Sequence, residues 1–218
     1  MPLAIFDLDN TLIGGDSDYL WGQFVCEQGI VDADTFAARN EQFYADYEAG
    51  ELDIDAYLRF ALGPLKGQTE ETLAAWHRQF MAEKIEPIML PKAATLIERH
   101  RERGDQLLII TATNRFITAP IAQALGIEEL LACEAEIVDG AYTGEPSGVP
   151  TYREGKVERL QAWLENQDIT LEGAYFYSDS MNDLPLLREV DKPVAVDPDA
   201  TLLSVARDAD WPVISLRD

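Results

Sequence analysis

Residues 4–13 read Ala-Ile-Phe-Asp-Leu-Asp-Asn-Thr-Leu-Ile, with Asp7 and Asp9 one position apart at the end of the first apolar run of the chain. Alternate side chains of a strand share a face, so both carboxylates point the same way. Like charges held this close resist ionising together unless a cation sits between them or one acid keeps its proton for chemical use. An isolated Asp-x-Asp after a strand is usually a pair of loop acids. This pair is not isolated, because a second acidic cluster, Ser178-Asp179-Ser180-Met181-Asn182-Asp183, follows another run of strand character, Ala174 to Tyr177.

Outward from the first strand, read as Pro2 to Phe6, Gly14-Gly15 breaks the pattern and Asp16-Ser17 can cap a helix. From there to about Pro87 four amphipathic stretches predict helices: Ser17 to Gln28, Asp34 to Ala49, Asp53 to Leu62 and Thr69 to Ile85. Their aromatics, Trp21, Phe43, Tyr47 and Phe80 among them, recur at spacings that suit a helical core. After Pro91 helices and strands alternate. Gln106 to Ile110 reads as a strand running into Thr111-Ala112-Thr113-Asn114, and a hairpin turns at Asp139-Gly140. Helix Lys156 to Asn166, strand Ala174 to Tyr177, helix Leu184 to Val190 and strand Pro193 to Val196 follow.

Such alternation predicts an α/β fold, a doubly wound and mainly parallel sheet with helices on both faces. Residues 1–13 and 91–218 are expected to form the core, and residues 14–90 a helical bundle inserted as a cap. Ligands of open parallel sheets bind outside the carboxyl ends of the strands, where both acidic clusters and Thr111 fall.

Charge and composition exclude several classes. The net charge is −23, with no basic run to offset it, which disfavours nucleic acid and anionic membranes as partners. No apolar run approaches the roughly 18 residues of a membrane span, and no signal-like start is present, so the expectation is a cytoplasmic protein. Cys26 and Cys133 stand in helical, apolar contexts and read as reduced and packed. His77 and His100 have no companion at ligand spacing, which argues against zinc.

The ordered set Asp7-x-Asp9, Thr111, Lys156 and Asp179 to Asp183 resembles the haloacid dehalogenase superfamily of phosphohydrolases across nearly the whole chain. The resemblance implies a small phosphomonoester as substrate and an aspartyl-phosphate intermediate. It makes Asp7 the nucleophile and Asp9 the group that protonates the leaving oxygen and then activates water. It implies Mg2+ held by Asp7, the main-chain carbonyl of Asp9 and Asp179, with Asp183 as a further ligand, direct or through water. Asn182 would orient these groups, although Asn182 and Asp183 could equally cap the next helix. Thr111, the backbone N–H of Ala112 beyond it, and Lys156 would bind phosphoryl oxygens. A lysine at a helix start opposes the helix dipole, which weakens a purely structural reason for Lys156.

The inserted helices resemble the phosphoserine phosphatase branch, in which an acid at the cap entry receives the substrate amine. That position is Asp16, which could also simply cap the helix starting at Ser17. An ungapped comparison places the branch's carboxylate-binding arginine on Ala61, and Arg59 lies on nearly the opposite helix face. An ester with an amine and no carboxylate satisfies both positions. Histidinol phosphate fits this description, its imidazole stacking among Trp21, Phe43 or Tyr47. Besides phosphoserine itself or a broad range of small esters as substrate, three rivals remain at this point: a receiver-type signalling module, which lacks such a helical insertion; a catalytically silent interaction protein with the acidic surface as its binding face, which the intact Asp7, Asp9, Thr111, Lys156 and Asp179 disfavour; and a phosphotransferase that passes the phosphoryl group to an alcohol.

Overall fold

The computed structural model describes residues 2–167 and 169–217. The first strand, β1 (Leu3–Phe6), is fully buried along its length, as a central parallel strand covered on both faces must be. It pairs in parallel with β2 (Gln106–Asn114) on one side and β5 (Tyr175–Ser178) on the other, with Phe6 abreast of Ile109 and Tyr177. The seven-stranded sheet runs β4-β3-β2-β1-β5-β6-β7 and includes β3 (Glu129–Val138), β4 (Ala141–Ser147), β6 (Lys192–Val196) and β7 (Val213–Ile214). Every pairing is parallel except β3 with β4, the predicted hairpin at Asp139-Gly140. The chain leaves β1 toward β2 and returns on its other side as β5. The order therefore switches direction at the carboxyl end of β1, the crevice where such sheets bind ligands.

β2 departs from expectation. Its strand continues through Thr111 to Asn114, with a register shift against β3 between Ile110 and Asn114. Thr111 and Thr113 are β-branched and suit a strand, and the pairing of β2 with β3 carries the weaker strand formers Ala112 and Asn114 past the apolar run.

Between β1 and residue 91 lie α1 (Ser17–Glu27), α2 (Ala33–Ala49), α3 (Ile54–Leu62) and α4 (Glu70–Phe80). Asp16, Asp32, Asp53 and Thr69 cap them, each accepting from a backbone N–H in the first turn. The stretch predicted as one helix to Ile85 is α-helical only to Phe80. It widens into a π turn at Met81–Ile85 and tightens into a 3-10 turn at Glu86–Ile88, where Pro87 cannot donate to a helical ladder. The two ends of this segment meet: Ile13 bridges Met89, and the Gly14 N–H donates to the Ile88 carbonyl at 2.8 Å.

The expected helical bundle shares its interior with the sheet. Trp21, Phe24, Leu58, Leu62 and Phe80 belong to the same apolar cluster as Phe6, Ile109 and Ile117. Trp21 packs against Phe24, Phe80 and Phe116, with ring centroids 5.2–5.4 Å apart. It is core, and its expected part in stacking on a substrate is not what the structure shows. α5 (Pro91–Glu102) and α6 (Arg115–Ala124) cover that same face of the sheet. α7 (Glu154–Leu164), α8 (Leu184–Leu187) and α9 (Ala200–Asp208) cover the other, around Ile5, Ile110 and Phe176.

Candidate active site

The carboxyl ends of β1, β2 and β5 bring the sequence-predicted residues together. The Asp7 N–H donates to the Tyr177 carbonyl at 2.9 Å, extending the β1–β5 ladder by one step and fixing where the Asp7 side chain leaves the sheet. Lys156, in the first turn of α7, is 2% exposed. Its Nζ donates to Asp7 Oδ1 at 2.7 Å and lies 2.6 and 2.8 Å from the two oxygens of Asp183. The Ser178 hydroxyl donates to Asp183 Oδ2 at 2.7 Å. Both Asp183 oxygens are thus engaged. Although Asp183 precedes α8, its side chain makes no cap bond there.

Burial pushes the Asp7 carboxyl up to about 7 against the pull of Lys156, with Asp183 and Asp9 adding to the rise. Burial alone would lower the Lys156 ammonium, yet Asp183 and Asp7 raise it above its ordinary value. Both directions hold because one ammonium is shared among more carboxylates than it can balance. Asp179 adds to the excess. Its carboxyl is raised well above the ordinary range by burial, then by Asp7 and Asp183, and its Oδ1 accepts only a long 3.3 Å bond from Thr11 Oγ1. Asp199 braces the loop that carries it, donating its N–H to the Asp179 carbonyl and accepting from the Met181 N–H.

Asp9 faces away from Lys156. Its Oδ1 accepts from the Ser17 N–H at 2.6 Å, and its Oδ2 from Thr113 Oγ1 at 2.8 Å and Thr111 Oγ1 at 3.4 Å. Burial raises its carboxyl despite these donors. Thr113 was missed in the sequence, although a threonine two places beyond Thr111 on an extended strand shares its face. Thr151 ties this corner to the rest, its hydroxyl donating to the Thr111 carbonyl at 2.5 Å.

Asn182 does something other than orient the acids. Its Oδ1 accepts from Arg153 Nε at 3.1 Å and Tyr152 OH at 3.3 Å, while its Nδ2 donates to the Tyr47 carbonyl of α2 at 3.0 Å. The Arg153 guanidinium also donates to the Gly50 carbonyl. Gly50 has φ 70°, the left-handed conformation that favours glycine, where α2 ends against the strand-end loops. Arg153 itself holds φ 51°, a strained conformation at the entry to the helix that carries Lys156.

A cavity opens from Asp7, Asp9, Thr111, Ala112 and Thr113 toward the helices, where Asp16, Asp18, Tyr19, Asn40, Phe43, Tyr44, Tyr47 and Tyr57 line it. Asp16 caps α1 through the Tyr19 N–H at 2.8 Å and also lines the cavity. Its carboxyl lies well above the ordinary range through burial and then the neighbouring Asp9. Phe43 and Tyr47 line the cavity as expected. Lysine and arginine are absent from its lining. Arg59 points elsewhere, with Nε 2.8 Å from Glu145 on β4.

Among the described residues no three His, Cys, Asp or Glu side chains converge as a ready-made metal cage. The donors do suit a hard cation that completes its shell with main-chain carbonyl, ligand oxygen and water: Asp7 and Asp179 are buried acids in excess of the local positive charge, and the Asp9 carbonyl lies between them in sequence order with its side chain turned away. Asp183, fully engaged by Lys156 and Ser178, is better placed to hold the lysine than to bind a metal.

Comparison with known proteins follows the same lines. Residues 4–188 match the haloacid dehalogenase-like hydrolase family. A histidinol-phosphatase of Neisseria meningitidis serogroup C is 48% identical over 99% of both chains. A phosphoserine phosphatase of Mycobacterium tuberculosis is 31% identical over 98% of this chain and 70% of its own length. Among solved structures, a Bordetella pertussis protein of unknown function superposes with a TM-score of 0.92 at 42% identity, covering 99% of this chain and 98% of that one. A phosphoserine phosphatase carrying a phospho-aspartyl intermediate analogue shares the fold, with a TM-score of 0.71 at 18% identity over 99% of this chain and 93% of that one.

Proposed function

The chain belongs to the haloacid dehalogenase-like hydrolases and is a phosphatase of that family, and from this premise we propose that its substrate is histidinol phosphate, cleaved through an aspartyl-phosphate intermediate. Residues 14–90 act as the cap that closes over the strand ends and reads the alcohol portion. The observation that carries this reading is the cavity lining: Asp7, Asp9, Thr111 and Ala112 at the strand ends, and walls of carboxylates and aromatics with, among the described residues, no lysine or arginine to receive a substrate carboxylate.

Lys156 fixes Asp7 through Oδ1, leaving Oδ2 to attack phosphorus. As the ester P–O bond breaks, Asp9, whose carboxyl burial raises above its ordinary value, gives its proton to the departing alcohol oxygen. Asp9 is then a carboxylate, held by the Ser17 N–H and Thr113. It takes a proton from water, whose oxygen attacks phosphorus, releasing inorganic phosphate and restoring Asp7. Thr111 and the Ala112 N–H, at the end of β2, bind phosphoryl oxygens, and Asp183 positions Lys156. Mg2+, held by Asp7, Asp179 and the Asp9 carbonyl, supplies charge neutralisation at the phosphoryl group when bound. Asp16 receives the substrate amine.

The name of the Neisseria relative supports the same substrate, and the cap explains the chemistry. A phosphoserine carboxylate would enter a strongly acidic wall without a bidentate partner, since Ala61 stands where the arginine would be and Arg59 is engaged by Glu145. The test is phosphate release with Mg2+ from histidinol phosphate and phosphoserine. The expected ratio of kcat/KM favours histidinol phosphate by at least about 100-fold; a preference for phosphoserine overturns the assignment.

A further inference from the structure

Asp18, in the first turn of α1, has no task in the mechanism above. It is 5% exposed and lines the cavity, yet neither of its oxygens has a hydrogen-bond partner among the described residues. Unpaired buried carboxylates are rare because the loss of hydration is large. The usual reason for an acid in a first helical turn, attraction to the helix dipole, needs no burial and is served here by others. Asp9 takes the Ser17 N–H and Asp16 the Tyr19 N–H. Burial raises the Asp18 carboxyl and the Tyr57 phenol beside it pulls it partly back, so Tyr57 is a weak donor to Asp18 that falls short of full hydrogen-bond geometry and leaves room for a better one.

The surroundings specify what would satisfy the orphan oxygens. Tyr19 and Tyr44 pack with ring centroids 4.9 Å apart, and Phe43 meets Tyr57 edge-on at 5.3 Å, so aromatic walls flank the acid. A flat ring carrying an N–H fits both features, stacking on the walls and donating to the carboxylate. Asp16 is already assigned to the amine. Two acids two residues apart, both lining the cavity, therefore suit two separate nitrogen donors on one ligand.

We infer that Asp18 is a specificity residue that accepts a hydrogen bond from a ring N–H of the substrate, so that the site selects phosphate esters bearing both an aliphatic amine and a nitrogen heterocycle. The inference rests on the histidinol phosphate reading and goes beyond it by assigning the group that recognises the imidazole. Without the ring N–H, binding leaves the buried Asp18 unpaired, which is the condition under which sites discriminate most strongly between otherwise similar ligands.

The test compares histidinol phosphate with phenylalaninol phosphate, the same ester with a phenyl ring in place of imidazole, in the full-length enzyme and its Asp18→Asn variant. The wild type is expected to favour the imidazole ester by on the order of 100-fold in kcat/KM. Asp18→Asn should lose most of that preference through a raised KM for histidinol phosphate, with kcat changed far less. A melting temperature no lower than that of the wild type establishes that the variant folds; if it is lower, Asp18→Glu, which keeps the charged carboxylate that Asn replaces with a weaker, neutral amide acceptor, must restore the preference. Hydrolysis of both esters alike by the wild type overturns the role of Asp18 and leaves the amino-alcohol phosphate reading standing. So does an equal loss for both esters in the variant. Hydrolysis of neither, with phosphate still released from other monoesters, removes the substrate reading and this inference together.

Discussion

At the strand ends Lys156 joins Asp7 to Asp183, Ser178 completes Asp183, and Asp9 accepts from Ser17 and Thr113. Across the cavity, on the helices, Asp16 is held by one backbone N–H, and among the described residues no donor meets hydrogen-bond geometry with Asp18. The first region is a network whose members hydrogen-bond to one another. The second leaves its polar groups open, to be completed by whatever alcohol arrives. The contrast follows from what each must do. Phosphoryl transfer needs reacting atoms held in place before substrate binds, and buried strand ends provide that rigidity. Recognition gains most from groups that are unsatisfied until the correct partner is present.

The largest expected effect breaks the network at its centre. Asp7→Asn keeps the shape of the side chain and its contact with Lys156, but an amide cannot form the aspartyl phosphate. Turnover should fall by at least about 10^4-fold, as when a covalent nucleophile is removed from other enzymes. Phosphate-release assays with Mg2+ and circular dichroism of the purified variant separate lost chemistry from lost fold. Appreciable turnover in a folded Asp7→Asn enzyme would sink the covalent mechanism and, with it, the division between the two regions.

The strand-end region was also the more legible in sequence. Asp7, Asp9, Thr111, Lys156 and Asp179 could be placed because each sits at a strand end or helix start, where apolar runs stop and the fold class dictates what faces the crevice. Thr113 was readable in principle from alternation along β2, but the strand was expected to stop at Ile110, so the alternation was not followed. Asp18 left no such trace. Asp16 is an extended N-cap and Asp18 is helical, so their shared direction depends on how α1 leaves its cap, which no periodicity records. Asn182 was misread for a similar reason: its partners, Tyr47 and Arg153, are distant in sequence and meet only through the closure of α2 on the strand-end loops. The helices themselves were legible from caps and periodicity. That their aromatics share one core with the sheet was not, because amphipathic patterning says which face is buried and not against what.

A smaller effect sharpens the comparison by measuring what the open acid costs. Burial holds the Asp18 carboxyl up to about 7, against an ordinary value of 3.8. A folded-state pKa raised in this way leaves the native state undisturbed below the unfolded value and weakens it progressively as pH rises through the folded one. Above that range, ionised Asp18 disfavours the fold by on the order of 2–4 kcal/mol. Asp18→Asn removes the charge, so it should melt at least roughly 5 °C above the wild type near pH 8, with the gain shrinking to nothing near pH 4. Lower melting of the variant at the higher pH would mean that the native fold already compensates the carboxylate, and the helical region would no longer differ from the strand ends.

The smallest effect concerns the one arginine near enough in sequence to challenge this picture. On α3, Tyr57 and Ala61 are one turn apart and share a face, and Tyr57 lines the cavity, so Arg59 projects away from it. It meets Glu145 on β4, with both side chains about half exposed, 55% and 53%. Exposed pairs of this kind contribute about 0–1 kcal/mol, because water screens them and two long side chains must be ordered. Arg59→Ala should therefore shift the melting temperature by no more than about 3 °C and leave KM for histidinol phosphate within about twofold of the wild type. Its sharper use is with phosphoserine. If Arg59 swung inward to receive a carboxylate, its removal would raise KM for phosphoserine and leave histidinol phosphate untouched, whereas a guanidinium confined to Glu145 predicts no change for either. Absence of any selective loss would place substrate choice with the open acids of α1, and a selective loss would move it to α3.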